Sequence, residues 1–232
     1  GNEHAAFVTS DGSILTTGYN DNGQCGVGNT SQVRQPTMAS QSTGEFFSQV
    51  YAFNGCEHTF AVTNSGTLHA CGYNYRGQLG LGNTNSESYL SPVKSLRHKR
   101  VANVACSYHH SLVICSDGSA YSFGRNDSGQ LGLGDYLDRK QPTLIESIDT
   151  SARKAACGQF HSIMLNEVGE VFSCGKNDYG QLALTKRDVS HTFTKIEDIP
   201  FNKKIIHICC GYYHTLLLSY SGHMYGCGRN DY

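Results

Sequence analysis

Five histidines recur along this 232-residue chain at nearly constant spacing: His4, His58, His110, His161 and His214. With ten cysteines also present, the chemistry to test first is metal ligation or acid–base catalysis. The spacing argues against both for the histidines. Separations of 51 to 54 residues spread them one per repeat, too far apart to share an ion and without the short ligand spacings of zinc sites. They are expected to be scaffold, buried or half-buried imidazoles hydrogen-bonded to backbone near a hairpin. Six cysteines fall at fixed offsets from these histidines: Cys106, Cys157 and Cys210 four residues before, and Cys71, Cys174 and Cys227 thirteen after. There is no Cys-x-x-Cys, and the adjacent Cys209 and Cys210 do not make a chelating pair. Unbridged core thiols in a reducing, intracellular compartment are expected. The Gly-Gln-Leu-Gly-Leu-Gly runs at 77–82 and 129–134 superficially satisfy a phosphate-loop spacing, but no Lys-Ser/Thr is attached and no helix pattern follows. No catalytic constellation, metal site or cofactor site emerges.

Two groups of residues are candidates for partner binding. The first lies between a recurrent Asn and a recurrent Gly-Gln: Asp21-Asn22, Tyr75-Arg76, Asp127-Ser128, Asp178-Tyr179 and Asp231-Tyr232. Variable residues inside a fixed frame sit at equivalent loop tips, which read either as ordinary turn residues or, since aromatic and charged side chains suit protein recognition, as a partner-binding set, for which Tyr75, Arg76, Asp127, Asp178 and Tyr179 are singled out. The second is a basic cluster, Lys94, Arg97, His98, Lys99 and Arg100, in a connection between strands. It reads either as a solvated loop or, through Arg97, Lys99 and Arg100, as a dock for an acidic partner such as chromatin. It lacks a base-reading element, so sequence-specific nucleic-acid binding is not expected. The net charge of −1, from 18 basic and 19 acidic residues, excludes the strongly basic footprint of a nucleic-acid binder. Mean hydropathy is −0.38, and no apolar run approaches the ~18 residues of a membrane span.

The elements that must position these residues follow from the repeat. A glycine lies eight residues after each histidine, a second fourteen after, and an asparagine sixteen after, five times over. Gly23, Gly77, Gly129 and Gly180 are each followed by glutamine. An apolar run follows each histidine (5–9, 59–63, 111–115, 162–165, 215–218), then a turn pair such as Asp11-Gly12 or Asp117-Gly118, then a second run up to the Gly-x-Asn. Asp-Gly between apolar runs predicts a tight hairpin. A third strand is expected to follow the prolines Pro36, Pro92 and Pro142, and a fourth to precede each histidine, at 49–53, 100–105, 154–157 and 204–209. The glycine-rich phrase is too poor a helix former to be anything but a loop packing its leucines inward. Four short strands per unit of about 52 residues predict an all-β fold, a β-propeller of four-stranded blades rather than a solenoid. The units run 1–54, 55–106, 107–157, 158–210 and, in part, 211–232.

The pattern Gly-x-x-His-(Ser/Thr), then Gly-x-Asn-x-x-Gly-Gln-Leu-Gly-Leu-Gly, seen at 55–82, resembles the repeat of the regulator-of-chromosome-condensation family over essentially the whole chain. The resemblance implies a seven-bladed propeller, of which about 4.4 repeats are present, so the chain is expected to be a fragment. It implies a non-enzymatic protein-interaction or scaffold module of a larger intracellular protein. Alternatives are guanine-nucleotide exchange on a Ran-type small GTPase and a structural part in a ciliary or cytoskeletal assembly. The family's plant UV-B receptors rely on tryptophans, and this chain has none, which sets that role aside by analogy.

Overall fold

Short apolar runs separated by glycine turns leave the chain few options besides short antiparallel strands. The computed structural model describes residues 1–40, 44–53, 55–148, 151–185, 188–197 and 204–231; its elements are strands, apart from one 3-10 turn at Lys94–Leu96. The first sheet holds β1 (His4–Val8), β2 (Ile14–Gly18) and β3 (Val33–Met38). The second holds β4 (Phe47–Tyr51), β5 (His58–Thr63), β6 (Leu68–Gly72) and β7 (Glu87–Pro92). The third runs β8 (Val101–Cys106), β9 (His110–Cys115), β10 (Ala120–Gly124) and β11 (Arg139–Leu144). The fourth runs β12 (Ala152–Cys157), β13 (His161–Asn166), β14 (Val171–Gly175) and β15 (Ser190–Lys195). The last holds β16 (Ile205–Cys210), β17 (His214–Ser219) and β18 (Met224–Gly228). Every pairing joins neighbours in sequence and is antiparallel, so each sheet is a meander, as a propeller blade requires.

The strands after and before the histidines fall close to where the residue pattern puts them. The proline strands differ. Pro36 and Pro142 lie inside β3 and β11, and Pro92 closes β7, so the strands run through or up to the proline instead of following it. They tolerate it because each is the outermost strand of its sheet, where one side has no ladder to feed. In the glycine-rich loops, the first large residue points inward as expected: Cys25, Leu79, Leu131 and Leu182 are all fully buried. Leu81, Leu133 and Leu184 are only partly covered.

The cores lie between sheets rather than within them. One cluster joins Phe60, Val62 and Leu68 of the second sheet to Val104, Val113 and Phe123 of the third, with Phe60 edge-on to Phe123 at 6.1 Å. Equivalent clusters occupy the other three junctions. Complete burial of one such aromatic contributes about 1.5–3 kcal/mol, so a blade is held mainly by its neighbours. The first strands line up along the inside, β12 packing against both β8 and β16.

Two glycines show why the frame is so regular. Gly72 has φ +109°, and a Cβ there would sit 2.5 Å from the Glu57 carbonyl oxygen. Gly158 lies under the ring of His161, which a Cβ would meet at 2.0 Å. Three residues before the frame histidine, where Gly1, Gly55, Gly158 and Gly211 stand in the other repeats, the third has Ser107, whose hydroxyl bonds His110 Nδ1 at 2.7 Å.

His4, His58, His110 and His161 are buried as expected, whereas His214 is exposed; His4 Nδ1 lies 3.3 Å from the Asn2 carbonyl, but the principal partners are a correction. His4, His110 and His161 place Nε2 on the hydroxyl one residue after the next histidine, at Thr59 (2.8 Å), Ser162 (2.8 Å) and Thr215 (3.0 Å). That hydroxyl donates onward to a carbonyl in the glycine-rich loop of the previous blade: Thr59 to Gln24, Ser162 to Gln130 and Thr215 to Gln181. The hydroxyl outcompetes backbone because the strand ladder already occupies the local peptide groups. Since it gives its own proton to the carbonyl, the imidazole must carry its proton on Nε2. Cys71, Cys174 and Cys227 point their thiols at the same carbonyls, at 3.4 to 3.5 Å, which accounts for their fixed position. The described cysteines are all unbridged.

Candidate functional site

Antiparallel strands put alternate connections at opposite ends of a sheet. The β4–β5 and β6–β7 connections therefore emerge on one face, and the β5–β6 and β7–β8 connections on the other. This separates the two candidate groups. The loop tips Tyr75, Arg76, Asp127, Asp178 and Tyr179 share the first face, whereas Arg97, Lys99 and Arg100 lie on the second.

The loops on the first face are held by two side chains per repeat. In the third sheet Asn126, fully buried, donates Nδ2 to the Asp135 carbonyl at 2.9 Å and accepts the Leu131 N–H at 2.9 Å. Asn20 and Asn74 make the same pair of contacts in their loops. The glutamine two residues past each tip accepts the tip's own N–H: Gln78 that of Arg76 and Gln181 that of Tyr179, both at 2.9 Å. The tips are thus rigidly presented even though their side chains are exposed.

Their partners were not legible as a set in the sequence. The residue just after each Gly of the Gly-x-Asn donates its N–H to the carbonyl of the residue before the frame histidine: Tyr73 to Glu57, Arg125 to His109, Lys176 to Phe160 and Arg229 to Tyr213. This brings side chains sixteen residues apart into contact and builds a ladder across the blades. Tyr75 lies against Tyr73 (4.9 Å between centroids), and Tyr73 against Tyr108 and His109 (5.9 Å each). Arg125 lies over Phe160 at 5.0 Å, with Lys176 at 5.7 Å from the same ring. Phe160 stacks on Tyr213 at 6.5 Å, Tyr213 meets Tyr179 at 5.6 Å, and Arg229 covers Tyr179 at 5.4 Å. Tyr75 is 66% exposed and Tyr179 47%.

The charges on this face are internally matched. Asp127 pairs with Arg125 at 2.6 Å and Asp178 with Lys176 at 2.7 Å, in each case two residues apart on one loop. Burial raises the Asp127 carboxyl, but the Arg125 guanidinium outweighs it and holds the pKa below the ordinary value. Arg76 reaches the next blade and pairs with Asp138 at 3.1 Å. His109 is pushed down to about 4, chiefly by burial and then by the Arg125 and Arg76 charges, so it stands neutral at physiological pH. The tip residue Tyr232 lies outside the described residues.

On the opposite face the basic cluster is divided among other tasks. Lys99 pairs with Asp117 of the following hairpin at 2.6 Å, and Arg100 donates to the Ser65 carbonyl of the preceding one at 3.1 Å. Arg97 donates to the neighbouring His98 ring at 2.8 Å. Two of these contacts tie neighbouring hairpins together, and among the described residues Lys99 is the one of the three paired with a carboxylate.

The sheets, the loops and their buried Asn and Gln supports have the form the repeat implies. The family model for the RCC1-like domain matches residues 1–232. The chain belongs to that family. Among its RCC1-like relatives, the ultraviolet-B receptor UVR8 of Arabidopsis thaliana is 30% identical over 230 residues, covering 99% of this chain and 52% of UVR8. The crystal structure of human WBSCR16 superposes with a TM-score of 0.84 at 26% identity, covering 99% of this chain and 60% of WBSCR16. That of Prp20p from Saccharomyces cerevisiae, described with its binding properties to Gsp1p and histones, gives 0.80 at 20% identity over 98% of this chain and 56% of Prp20p. This RCC1-like chain spans between half and three-fifths of the length of these proteins, and its blades are propeller blades like theirs. Among the described residues, no helix is long and apolar enough to cross a membrane.

Proposed function

We propose that this chain is a non-enzymatic recognition module of an intracellular protein, which binds a protein partner through the face carrying the ladder. One observation carries the reading: aromatic rings and arginines from successive blades pack together on rigidly held loops, half-buried for the most part, with Tyr75 and Tyr179 standing exposed. Tyrosine and arginine dominate the energetic centres of protein interfaces because they bury large areas at low entropic cost. The unbridged cysteines support a reducing compartment. Affinity capture with wild type, the double variant Tyr75→Ala/Tyr179→Ala and a control, Arg97→Ala, tests the proposal. The double variant is expected to lose partners at least tenfold, since each such residue contributes about 2 kcal/mol or more where it is an anchor. Its melting curve should match wild type. Equal recovery of partners by all three proteins would eliminate this face.

Guanine-nucleotide exchange is the second reading, supported by the shared fold with Prp20p, which was examined for binding to Gsp1p. Its measure is the release of labelled GDP from a Ran-type GTPase, which exchange would accelerate and simple recognition would leave unchanged.

A further inference from the structure

At one blade junction the hydrogen-bond relay of the frame histidines is missing. His58 is fully buried, and neither of its ring nitrogens has a hydrogen-bond partner among the described residues. The hydroxyl it would meet by repeat equivalence, Ser111, donates to the Gln78 carbonyl but makes no bond to the ring. Next to His58 stand two thiols instead. Cys106 occupies the recurrent position four before a frame histidine. Cys56, two before His58, replaces Asn2, Tyr108, Gln159 and Tyr212 of the other repeats. The Cys56 and Cys106 sulfurs are 3.5 Å apart, and both lie with a His58 nitrogen inside a sphere of contacts no wider than 4.8 Å. All three residues are buried.

A buried imidazole with both nitrogens idle is costly, about 1–3 kcal/mol for each unsatisfied group, and native proteins keep few of them. Two thiols are weak hydrogen-bonding partners and do not relieve that cost. A metal ion would. Two thiolates and an imidazole form a soft donor set suited to closed-shell thiophilic cations. Sulfurs bound at ~2.3 Å in a tetrahedral shell lie about 3.8 Å apart, close to the separation found here.

We propose that Cys56, His58 and Cys106 form a binding site for a thiophilic d10 cation, Zn(II) or Cu(I), which clamps the second blade to the third. On binding, the two S–H bonds break, two sulfur–metal bonds form, and the two protons pass to solvent. His58 contributes a ring-nitrogen lone pair and exchanges no proton. Cys56 and His58 come from the second blade and Cys106 from the end of β8 in the third, so the ion replaces the imidazole–hydroxyl link found at the neighbouring junctions.

The test uses purified protein, reduced and stripped with chelator. Zn(II) and Cu(I) are offered in separate arms and the complex is counted by native mass spectrometry, with Co(II) as a spectroscopic stand-in for zinc. One ion per chain is expected, at sub-micromolar affinity in at least one arm, and a sulfur-to-cobalt charge-transfer band in the near ultraviolet. Cys56→Ser, Cys106→Ser and His58→Asn should each weaken binding by roughly 10–100-fold or more, while Cys25→Ser should leave it unchanged. Where a variant fails to fold, alkylation mapping of wild type replaces it: the bound ion should shield Cys56 and Cys106 and no other pair. Failure of both ions to bind at one per chain, or binding that survives loss of either thiol, would overturn the proposal. So would freshly isolated protein in which Cys56 and Cys106 are already bridged, lighter by two hydrogens and unable to take up the ion.

Discussion

Single residues within the frame report on backbone strain. Where the other glycine-rich loops place Gly26, Gly80 and Gly132 at φ of 67–71°, the fourth loop places Ala183, at φ 53°. An alanine there pays the left-handed penalty of about 1–2 kcal/mol, partly offset by its lower entropy when unfolded. Ala183→Gly is therefore expected to stabilise the protein, by roughly 0.5–1 kcal/mol, reversing the usual sign of an alanine-to-glycine change. A urea-denaturation midpoint equal to or below wild type would contradict this. The position was visible in the sequence as a departure from Gly-Gln-Leu-Gly. That the backbone would hold its left-handed turn, instead of relaxing to suit alanine, was not visible: Asn177 and Gln181 are legible as frame residues, but the bonds by which they hold the loop, from the Leu182 and Tyr179 N–H groups, are set by its geometry.

At the level of strands and loops, the bond from one blade's histidine to the next blade's hydroxyl is the main new element. Ser162 accepts from His110 and donates to the Gln130 carbonyl, and all three residues are fully buried. Ser162→Ala leaves a ring N–H unpaired and the Gln130 carbonyl with only the weak Cys174 thiol, and is expected to cost about 1–3 kcal/mol. Ser221→Ala, at an exposed hairpin tip, should stay within about 0.5 kcal/mol. Chemical denaturation of the two variants side by side measures the difference, and similar midpoints would show that the relay contributes nothing. Strand positions were largely readable from the apolar runs and turn glycines. The ladder was only half readable: Tyr75 and Tyr179 stand out as variable tips, but Tyr73, Arg125 and Phe160 do not. Their ring contacts cross from blade to blade, Tyr73 to Tyr108, Arg125 to Phe160 and Phe160 to Tyr213, in a register that only the fold defines.

For the molecule as a whole, the buried histidines make stability depend on pH. Burial is the main cause that pushes His110 down to about 3 and His161 to about 4, from an ordinary 6.5. As pH falls below 6.5 the unfolded chain takes up protons that the folded chain refuses. Their contribution is thus complete above about pH 6.5 and is lost progressively toward pH 3–4, at up to about 1.4 kcal/mol per pH unit for each histidine. The melting temperature should fall steadily from pH 6.5 to 4.5, before most carboxylates titrate, and His110→Asn should flatten the fall; a level profile in wild type would refute the linkage. The number of sheets was legible from the repeat, whereas their phase was not, since a periodic sequence has no natural origin. The second to fifth sheets begin one strand earlier than the Gly-x-x-His: Cys106 ends β8, and His110 opens β9 of the same sheet. A unit cut at that glycine therefore carries three strands of one blade and the innermost strand of the next. Growth by tandem duplication of such a unit never adds a free-standing sheet. Every inserted copy has to be stitched into both of its neighbours, so the array lengthens as one connected series of sheets.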